Sequence, residues 1–431
     1  MATAAFAAST LGMLLRVEPI ASWYYALAWW PFIFALDALT LALRGDSLIS
    51  RNPRGFLVLS LISVPFWLIF EAWNLVMKNW YYVGADPLWV ARWVGYTVCF
   101  ATVLPAIFEA AALVAATGSF ERVRVRPIRV GPWLYVWFWA LGGTLLLLPL
   151  LAPKYGFPGI WLGFIFLLEP FNHRFAAKSL LRQWEEGSLR TVCRLLAGGL
   201  ICGLAWEAFN THALTKWIYS VPFFEGLKLF EMPLAGFLGF PPFAVECYVM
   251  IQFLGIFRLS AVPRAVGWGA SLAVGLGSLG MFHLLDAHTV NSLQPRVSHL
   301  HELAPQEAAL LQRAGVDRMD LWVEGPGGLK GRRGELLAHG LSREALERWE
   351  GLAMMATLKG MGTENLKLML AAGVGSPGDL GRQDPEELGE RMREIHTSTG
   401  WGRQPPRDAQ VRMWVREAKA LEKRPDTRLC Q

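Results

Sequence analysis

Phe70-Glu71-Ala72-Trp73-Asn74, followed by Trp80-Tyr81-Tyr82, decides the reading of this chain because it occurs twice. The second copy is Trp206-Glu207-Ala208-Phe209-Asn210, followed by Trp217-Ile218-Tyr219, at offsets of 136 and 137 residues. The match extends in both directions. Trp29-x-x-Phe32-Ile33-Phe34-Ala35-Leu36-Asp37 pairs with Trp161-x-x-Phe164-Ile165-Phe166-Leu167-Leu168-Glu169 at offset 132, as does Ser47-Leu48 with Ser179-Leu180. Pro105-x-x-x-Glu109 pairs with Pro242-x-x-x-Glu246 at offset 137. The order is kept and the offset drifts by only five residues, which marks an internal duplication.

Both copies lie in apolar sequence. The 431 residues are 53% hydrophobic and 18% charged, with 20 Trp and 25 Phe, and the mean hydropathy is +0.32. That composition excludes a disordered chain, a fibre and an ordinary soluble enzyme. Spans of about 20 apolar residues are expected at 23–43, 56–77, 90–116, 131–151, 157–175, 191–212, 232–257 and 265–285. Pro65, Pro105 and Pro242 fall inside spans, where neighbouring helices can satisfy the freed backbone. The expected fold is therefore all-α: a polytopic membrane helical bundle of about eight spans in two parallel four-span repeats, plus a C-terminal soluble domain. The divisions are 1–20, an interfacial segment without the charged start of a signal peptide; 21–152, the first repeat; 153–290, the second; 300–395, the soluble domain; and 396–431, a last helix and frayed tail. An even number of spans per unit gives the two copies the same orientation, related by an axis along the membrane normal.

Lys and Arg sort between the loops. Those after spans one, three, five and seven carry 14, including Arg258; the other face carries 6. The positive-inside rule puts the first set in the cytoplasm. Eight spans then leave both termini, and the C-terminal domain, outside what is expected to be a bacterial inner membrane. Cys99, Cys193, Cys202, Cys247 and Cys430 are scattered and suggest neither a disulfide framework nor a zinc site.

The duplicated polar positions are Asp37/Glu169, Glu71/Glu207, Asn74/Asn210 and Glu109/Glu246. Glu71 and Asn74 share a helix face at i, i+3, as do Glu207 and Asn210. A carboxylate at membrane depth costs roughly 2.5–3.5 kcal/mol on insertion scales, so these groups must be protonated, paired or facing water. They read as lining one or two polar chambers, or as hydrogen-bonding ties between helices. Trp80-x-Tyr82 and Trp217-x-Tyr219 read as an aromatic belt or as part of the site.

The order of acidic residue with Asn, then W-x-Y, then Pro followed by Glu resembles the membrane-bound carotenoid (lycopene) cyclase family, built of small multi-span repeats. Its P-x-E-E pair is represented by a single Glu four residues after each Pro. The resemblance implies acid chemistry: Glu109 and Glu246 as proton donors to a polyene, Glu71 and Glu207 as bases or orienters, and Asn74, Asn210, Asp37, Glu169, Trp80 and Trp217 around the substrate, with aromatic faces steadying a carbocation. It implies no metal and no cofactor.

Gly275-x-Gly277-x-x-Gly280 fits a dinucleotide fingerprint only formally, since it sits inside a span with no strand before it. With Gly267 and Gly269 it reads as a close-packing helix face, as does Gly199-x-x-x-Gly203. His283, Asp286 and His288 do not share a helix face and read as an interfacial hydrogen-bonding cluster rather than a metal site.

The region 300–424 also contains a duplication. Gln306-Glu307-x-x-Leu310-Leu311-x-x-Ala314-Gly315-Val316 matches Glu364-x-Leu366-x-Leu368-Met369-x-x-Ala372-Gly373-Val374 at offset 58, with Asp320-Leu321 and Asp379-Leu380 following and a Gly-rich 325–328 stretch between. Together with Leu358-Lys359-Gly360-Met361-Gly362, this resembles the helix-hairpin-helix superfamily, and more closely a bacterial domain of unknown function built of tandem hairpins. The resemblance implies a turn formed by Gly360 and Gly362, with Lys359 beside it, that holds a partner. Residues 291–431 carry 21 Lys/Arg against 20 Asp/Glu, too few cations for a phosphate-binding face. Nucleic acid is therefore disfavoured against protein–protein or self-docking through 300–395. The tail reads as a Val411–Leu421 helix followed by Lys423-Arg424-Pro425.

Three function classes stay open. The first is a membrane enzyme acting by acid chemistry on an isoprenoid or other lipid, an apolar small molecule taken from among the membrane lipids. The second is a proton- or cation-coupled transporter or channel. The third is an assembly or scaffold protein.

Overall fold

A computed structural model describes residues 1–220, 228–257, 263–320 and 329–422. Arg258, Leu321, the 325–328 stretch and the end at Lys423-Arg424-Pro425 with Cys430 lie outside these. The chain is an all-α membrane-type bundle with a C-terminal helical domain, and the strands are short. Among the described residues seven helical stretches are long and apolar enough to cross a membrane.

The N-terminal α1 (Ala2–Leu14) packs on the bundle, burying Met13 and setting Phe6 5.5 Å from the Phe209 ring. The first repeat is α2 (Tyr24–Arg44), α3 (Leu48–Arg51), α4 (Pro53–Met77), β1 (Trp80–Val83), α5 (Trp89–Phe100), α6 (Val103–Ala116) and α7 (Pro132–Leu151). The second is α8 (Pro153–Gly156), a 3-10 turn at Phe157–Trp161, α9 (Gly163–Phe175), α10 (Leu180–Glu185), α11 (Arg190–His212), β2 (Lys216–Tyr219), the short ribbon β3 (Lys228–Leu229) and β4 (Met232–Pro233), a 3-10 turn at Leu234–Gly239, α12 (Phe240–Ile256) and α13 (Arg264–His288).

Three expected spans are not single α-helices. The third breaks at Ala101–Thr102 because Pro105 has no N–H for the Ala101 carbonyl. Ser63 bridges the break, donating to Phe100 O at 2.6 Å and accepting from Leu104 N at 3.1 Å. The seventh opens as a 3-10 turn before Pro241 and Pro242 for the same reason. The fifth, interrupted by Pro158, Gly159 and Gly163, is a 3-10 turn followed by the 13-residue α9. It still returns the chain to the end from which α7 set out: Val125 N donates to Gly187 O at 3.0 Å, and Val130 N to Glu185 at 3.1 Å. The Arg-bearing segments 117–131 and 176–190 thus meet at one end.

The other end carries the ribbon that joins the repeats. β1 and β2 pair antiparallel, Trp80 opposite Tyr219, Tyr81 opposite Ile218 and Tyr82 opposite Trp217. The register is symmetric: exchanging each residue for its 137-residue partner maps the ribbon onto itself. The duplicated W-x-Y is therefore a strand pair about a pseudo-two-fold axis. Trp80 and Trp217 are buried, not a lipid-facing belt.

The two glycine faces behave differently. A Cβ at Gly199 would lie 2.5 Å from Phe240 O, and one at Gly203 would lie 2.4 Å from the Phe240 ring. Gly267, Gly269, Gly275, Gly277 and Gly280 on α13 have nothing within 4 Å, so the expected close packing there is absent among the described residues.

The C-terminal domain consists of α14 (Pro305–Arg313), α15 (Leu329–Ala338), α16 (Arg343–Ala356), α17 (Gly362–Ala371), α18 (Pro377–Gly381), α19 (Pro385–Thr399) and α20 (Asp408–Glu422). Its core holds Trp349, Leu366 and Leu380, with Val411, Trp414 and Val415 of α20. The offset-58 duplication is visible in the caps: α14 and α17 end at left-handed Gly315 and Gly373. The amides of the next residues, buried Val316 and Val374, return to Leu311 O at 2.9 Å and Met369 O at 3.1 Å.

Gly199→Leu is expected to lower stability by about 1–3 kcal/mol through overpacking, and Gly275→Leu to leave it nearly unchanged. Thermal unfolding of the two variants in mild detergent compares them.

Candidate functional site

A two-residue period puts Trp80 and Tyr82 on one face of β1 and Tyr81 on the other; β2 repeats this with Trp217, Tyr219 and Ile218. The inner face meets the apolar helices, and the helices supply its polar partners. Asn74 donates to Trp80 O at 3.0 Å and accepts from Asn79 N at 2.9 Å and Trp80 N at 3.2 Å. Asn210 donates to Trp217 O at 2.9 Å and accepts from Trp217 N at 3.0 Å. Both asparagines are fully engaged in holding strand backbone.

Glu71, one turn earlier on α4, receives Tyr82 OH at 2.5 Å, Trp67 Nε1 at 2.9 Å and Trp80 Nε1 at 3.1 Å on one oxygen. Glu207 receives Tyr219 OH at 2.7 Å. In each carboxyl the second oxygen is buried without a donor among the described residues. Gly203 stands where the first copy has Trp67, and the Phe240 ring fills that space, so Glu207 lacks the corresponding indole donor.

These groups stand behind a cavity of about 530 Å³, within the roughly 300–1,000 Å³ typical of small-molecule sites. Trp67, Trp80, Trp161, Trp206, Trp217 and Phe243 form its inner wall, with Tyr25, Tyr82, Tyr96 and Tyr219. The rings are in mutual contact: Trp67 to Trp206 5.3 Å, Tyr25 to Trp217 5.2 Å, and Phe243 to Trp161 5.5 Å. Ser22, Asn79, Asp86, Arg92, Thr215, Lys216 and Gln294 line the same cavity and cluster at the ribbon end by their positions in the chain.

The other expected acids lie elsewhere. Asp37 accepts Ile49 N at 3.0 Å, and Glu169 accepts Leu181 N at 2.9 Å and Ser179 Oγ at 2.6 Å. Each caps the short helix after its own, at the Arg-bearing end. Glu246 accepts Phe164 N at 2.9 Å, an orphan amide in the first turn of α9. In the first copy the helix runs on through Phe32, offering no such amide, and Glu109 keeps both buried oxygens without a donor among the described residues, with Asp37 the neighbouring acid. None of these four lines the cavity.

Asp286 anchors the last long helix. Arg92 reaches it with two bonds of 2.7 and 2.6 Å, Trp93 Nε1 with one of 2.9 Å and Tyr96 OH with one of 2.9 Å. His283 and His288 are exposed. No group of His, Cys, Asp and Glu able to hold a metal occurs among the described residues. Nothing in the repeat marks Arg92 or Lys216, because Leu229 and Asn79 stand at the 137-residue offset.

The outer face of the ribbon, Tyr81, Val83 and Ile218, is covered by the C-terminal domain. Gly360 has φ +73°, and a Cβ there would stand 3.1 Å from Val83 and 3.3 Å from Ile218. Gly362 has φ +60°, and its Cβ would meet Ser292 at 2.7 Å. Lys359 pairs with Glu231. Arg407 lies 4.6 Å over the Tyr81 ring and donates to Ser220 Oγ at 2.5 Å. Asn365 and Gln410 both donate to Asn291, at 3.2 and 2.9 Å. The linker runs beside β1, with Tyr82 N to Thr289 O at 2.9 Å and Gln294 N to Ala85 O at 2.9 Å.

Residues 301–421 match the model of a family described as a domain of unknown function, DUF4332. No curated protein matches the chain, and no solved structure does.

Asn74→Ala and Asn210→Ala are each expected to cost about 1–3 kcal/mol by orphaning buried strand amides, read as a loss of thermal stability in detergent. Gly360→Leu is expected to release the C-terminal domain, seen as faster proteolytic cleavage within 289–304 while the bundle stays intact.

Proposed function

We propose that this chain is a membrane enzyme that holds an isoprenoid or similar elongated lipid in the aromatic cavity and acts on it by acid chemistry. The observation that carries the reading is the pair of carboxyl–tyrosine dyads, Glu71–Tyr82 and Glu207–Tyr219, whose tyrosines line one apolar cavity. Each glutamate communicates with the cavity through the hydroxyl bonded to it. A protonated carboxyl in a dry site can deliver a proton to a C=C bond, and a second carboxylate can take one from another carbon. The net change is an isomerisation such as ring closure and needs no oxidant. The surrounding indole faces are suited to steadying the carbocation between the two steps. The likeness of the duplicated acid–Asn, W-x-Y and Pro–Glu order to carotenoid cyclase repeats supports the same chemistry, with the catalytic role moved from Glu109 and Glu246 to Glu71 and Glu207. Those four glutamates are taken to lie within the membrane.

In this reading the Arg-rich loops face the cytoplasm, and the ribbon with its C-terminal cap lies on the opposite side. The cap is read as a tandem helix-hairpin-helix module whose glycine turn is used on the ribbon of its own chain.

Purification in mild detergent tests the reading. Absorption and mass spectrometry are expected to find a stoichiometric isoprenoid or polyene, lost in Trp80→Ala/Trp217→Ala. Glu71→Gln/Glu207→Gln is expected to retain the lipid but to slow its conversion by ~10²–10⁴-fold. Recovery of bulk phospholipid alone would sink the proposal.

A further inference from the structure

The cavity has two chemically distinct ends. Its helix-facing part is indole and phenyl; its ribbon end carries the polar residues. Among the described residues two cations reach that end. Arg92 already has its counter-charge, bonded twice to Asp286 and also to Asp86 O at 2.6 Å and Pro87 O at 3.3 Å. Lys216 is different. Its ammonium donates to Thr211 O at 2.7 Å, and among the described residues no carboxylate lies within 4.0 Å of it. The acid beside it, Glu231, is taken by Lys359. Asp86, the carboxylate on the cavity wall, is turned onto Leu88 N at 2.8 Å. Ser22, Thr215 and Gln294 are already engaged, with Glu18, Gly84 O and Ser22 respectively.

A half-buried ammonium beside apolar walls, with one carbonyl for a partner among the described residues, is under-compensated. Burial pushes its pKa down from the ordinary lysine value, and Lys359 and Arg16 act in the same direction against Glu231 and Glu417. A bound anion would supply the missing counter-charge, and the aromatic part of the cavity would take an apolar chain attached to it.

We infer that the ligand is an anionic amphiphile, a prenyl-type chain among the tryptophans with a phosphate or carboxylate head on Lys216. This rests on the reading of the cavity as a lipid site. It adds what that reading leaves open: the polarity of the ligand, its orientation with the head at the ribbon, and the residue that selects it. Lys216 is here a binding residue and takes no part in proton transfer.

The test compares two probes with the same tail, farnesol and farnesyl monophosphate, binding to the full chain in nanodiscs, read by quenching of tryptophan fluorescence. The wild type is expected to prefer the phosphate at least 10-fold. Lys216→Met is expected to abolish the preference while keeping farnesol affinity, and Lys216→Arg to retain it. Gel filtration and helicity of the variants, matched to the wild type, separate loss of binding from loss of fold. Equal affinity for both probes in the wild type, or an undiminished preference in Lys216→Met, overturns the inference and leaves the lipid site standing. Failure of both probes to bind overturns the lipid reading itself. Inorganic phosphate is expected to displace farnesyl monophosphate only at concentrations at least 100-fold higher. Displacement at equal concentration would mark a site for free phosphate and overturn the amphiphile.

Discussion

A strand pair set against the end of an apolar helical bundle brings backbone amides and carbonyls where water cannot serve them all. The structure depends on how that demand is met. Asn74 and Asn210, one from each repeat, bond the backbone of Trp80 and Trp217. Such bonds are worth about 0.5–1.5 kcal/mol each when made and about 1–3 kcal/mol when a buried partner is orphaned. The antiparallel ladder and the linker strand serve most of the rest. With the ribbon held, its two-residue alternation gives it two distinct faces. Trp80, Tyr82, Trp217 and Tyr219 roof the cavity; Tyr81, Val83 and Ile218 receive the C-terminal domain. The cavity and the docking surface are thus opposite faces of one element.

Duplication gives each polar position a second setting, and the settings diverge in instructive ways. Glu246 meets an orphan amide because α9 starts just before Phe164; Glu109 meets none because α2 runs on through Phe32. Glu71 collects two indole donors and a phenol, whereas among the described residues Glu207 collects the phenol: Gly203 replaces Trp67 and admits the Phe240 ring, and Trp217 does not repeat the bond that Trp80 makes. The pseudo-two-fold therefore fixes where carboxyls stand and leaves their hydrogen bonding to local sequence. Six acids that look alike in the repeat divide into helix caps at one end, buried groups between helices, and the two that meet the cavity through tyrosine.

Most of the architecture was legible in the residues. Apolar runs of spanning length gave the bundle, and the retained spacing gave the duplication. What could not be read was where the helices break and how the copies touch. Pro105 and Pro242 stood in the sequence as tolerated prolines, yet each coincides with a change of helix geometry, because the missing amide has no substitute one turn earlier. W-x-Y reads equally as a belt, the role aromatic residues at span ends serve in single helices, or as part of the site. Nothing local shows that two such segments, 137 residues apart, pair with each other. The α13 glycines have a packing pattern without a partner among the described residues. Arg92 and Asp286 lie 194 residues apart with no counterpart in the repeat, so their pairing is a product of tertiary structure alone.

The C-terminal domain follows from the same ribbon. A bundle end that presents Tyr81, Val83 and Ile218 outward would expose apolar surface to water or lipid headgroups. Met413 packs on that cluster, and the turn at Gly360 comes so near that a side chain there would press on Val83 and Ile218. Left-handed φ at Gly360 and Gly362 is what allows the turn to present backbone instead of side chain at the contact. The same turn carries Lys359, whose charge is met by Glu231 from the bundle side, and Arg407 stacks on Tyr81 from the far edge. Polar contacts thus accompany an apolar patch, the composition of a specific interface. The linker adds strand-like bonds to β1 and carries Gln294 into the cavity wall. The cap and the cavity consequently share a backbone segment, the linker that bonds β1 and places Gln294 in the cavity wall.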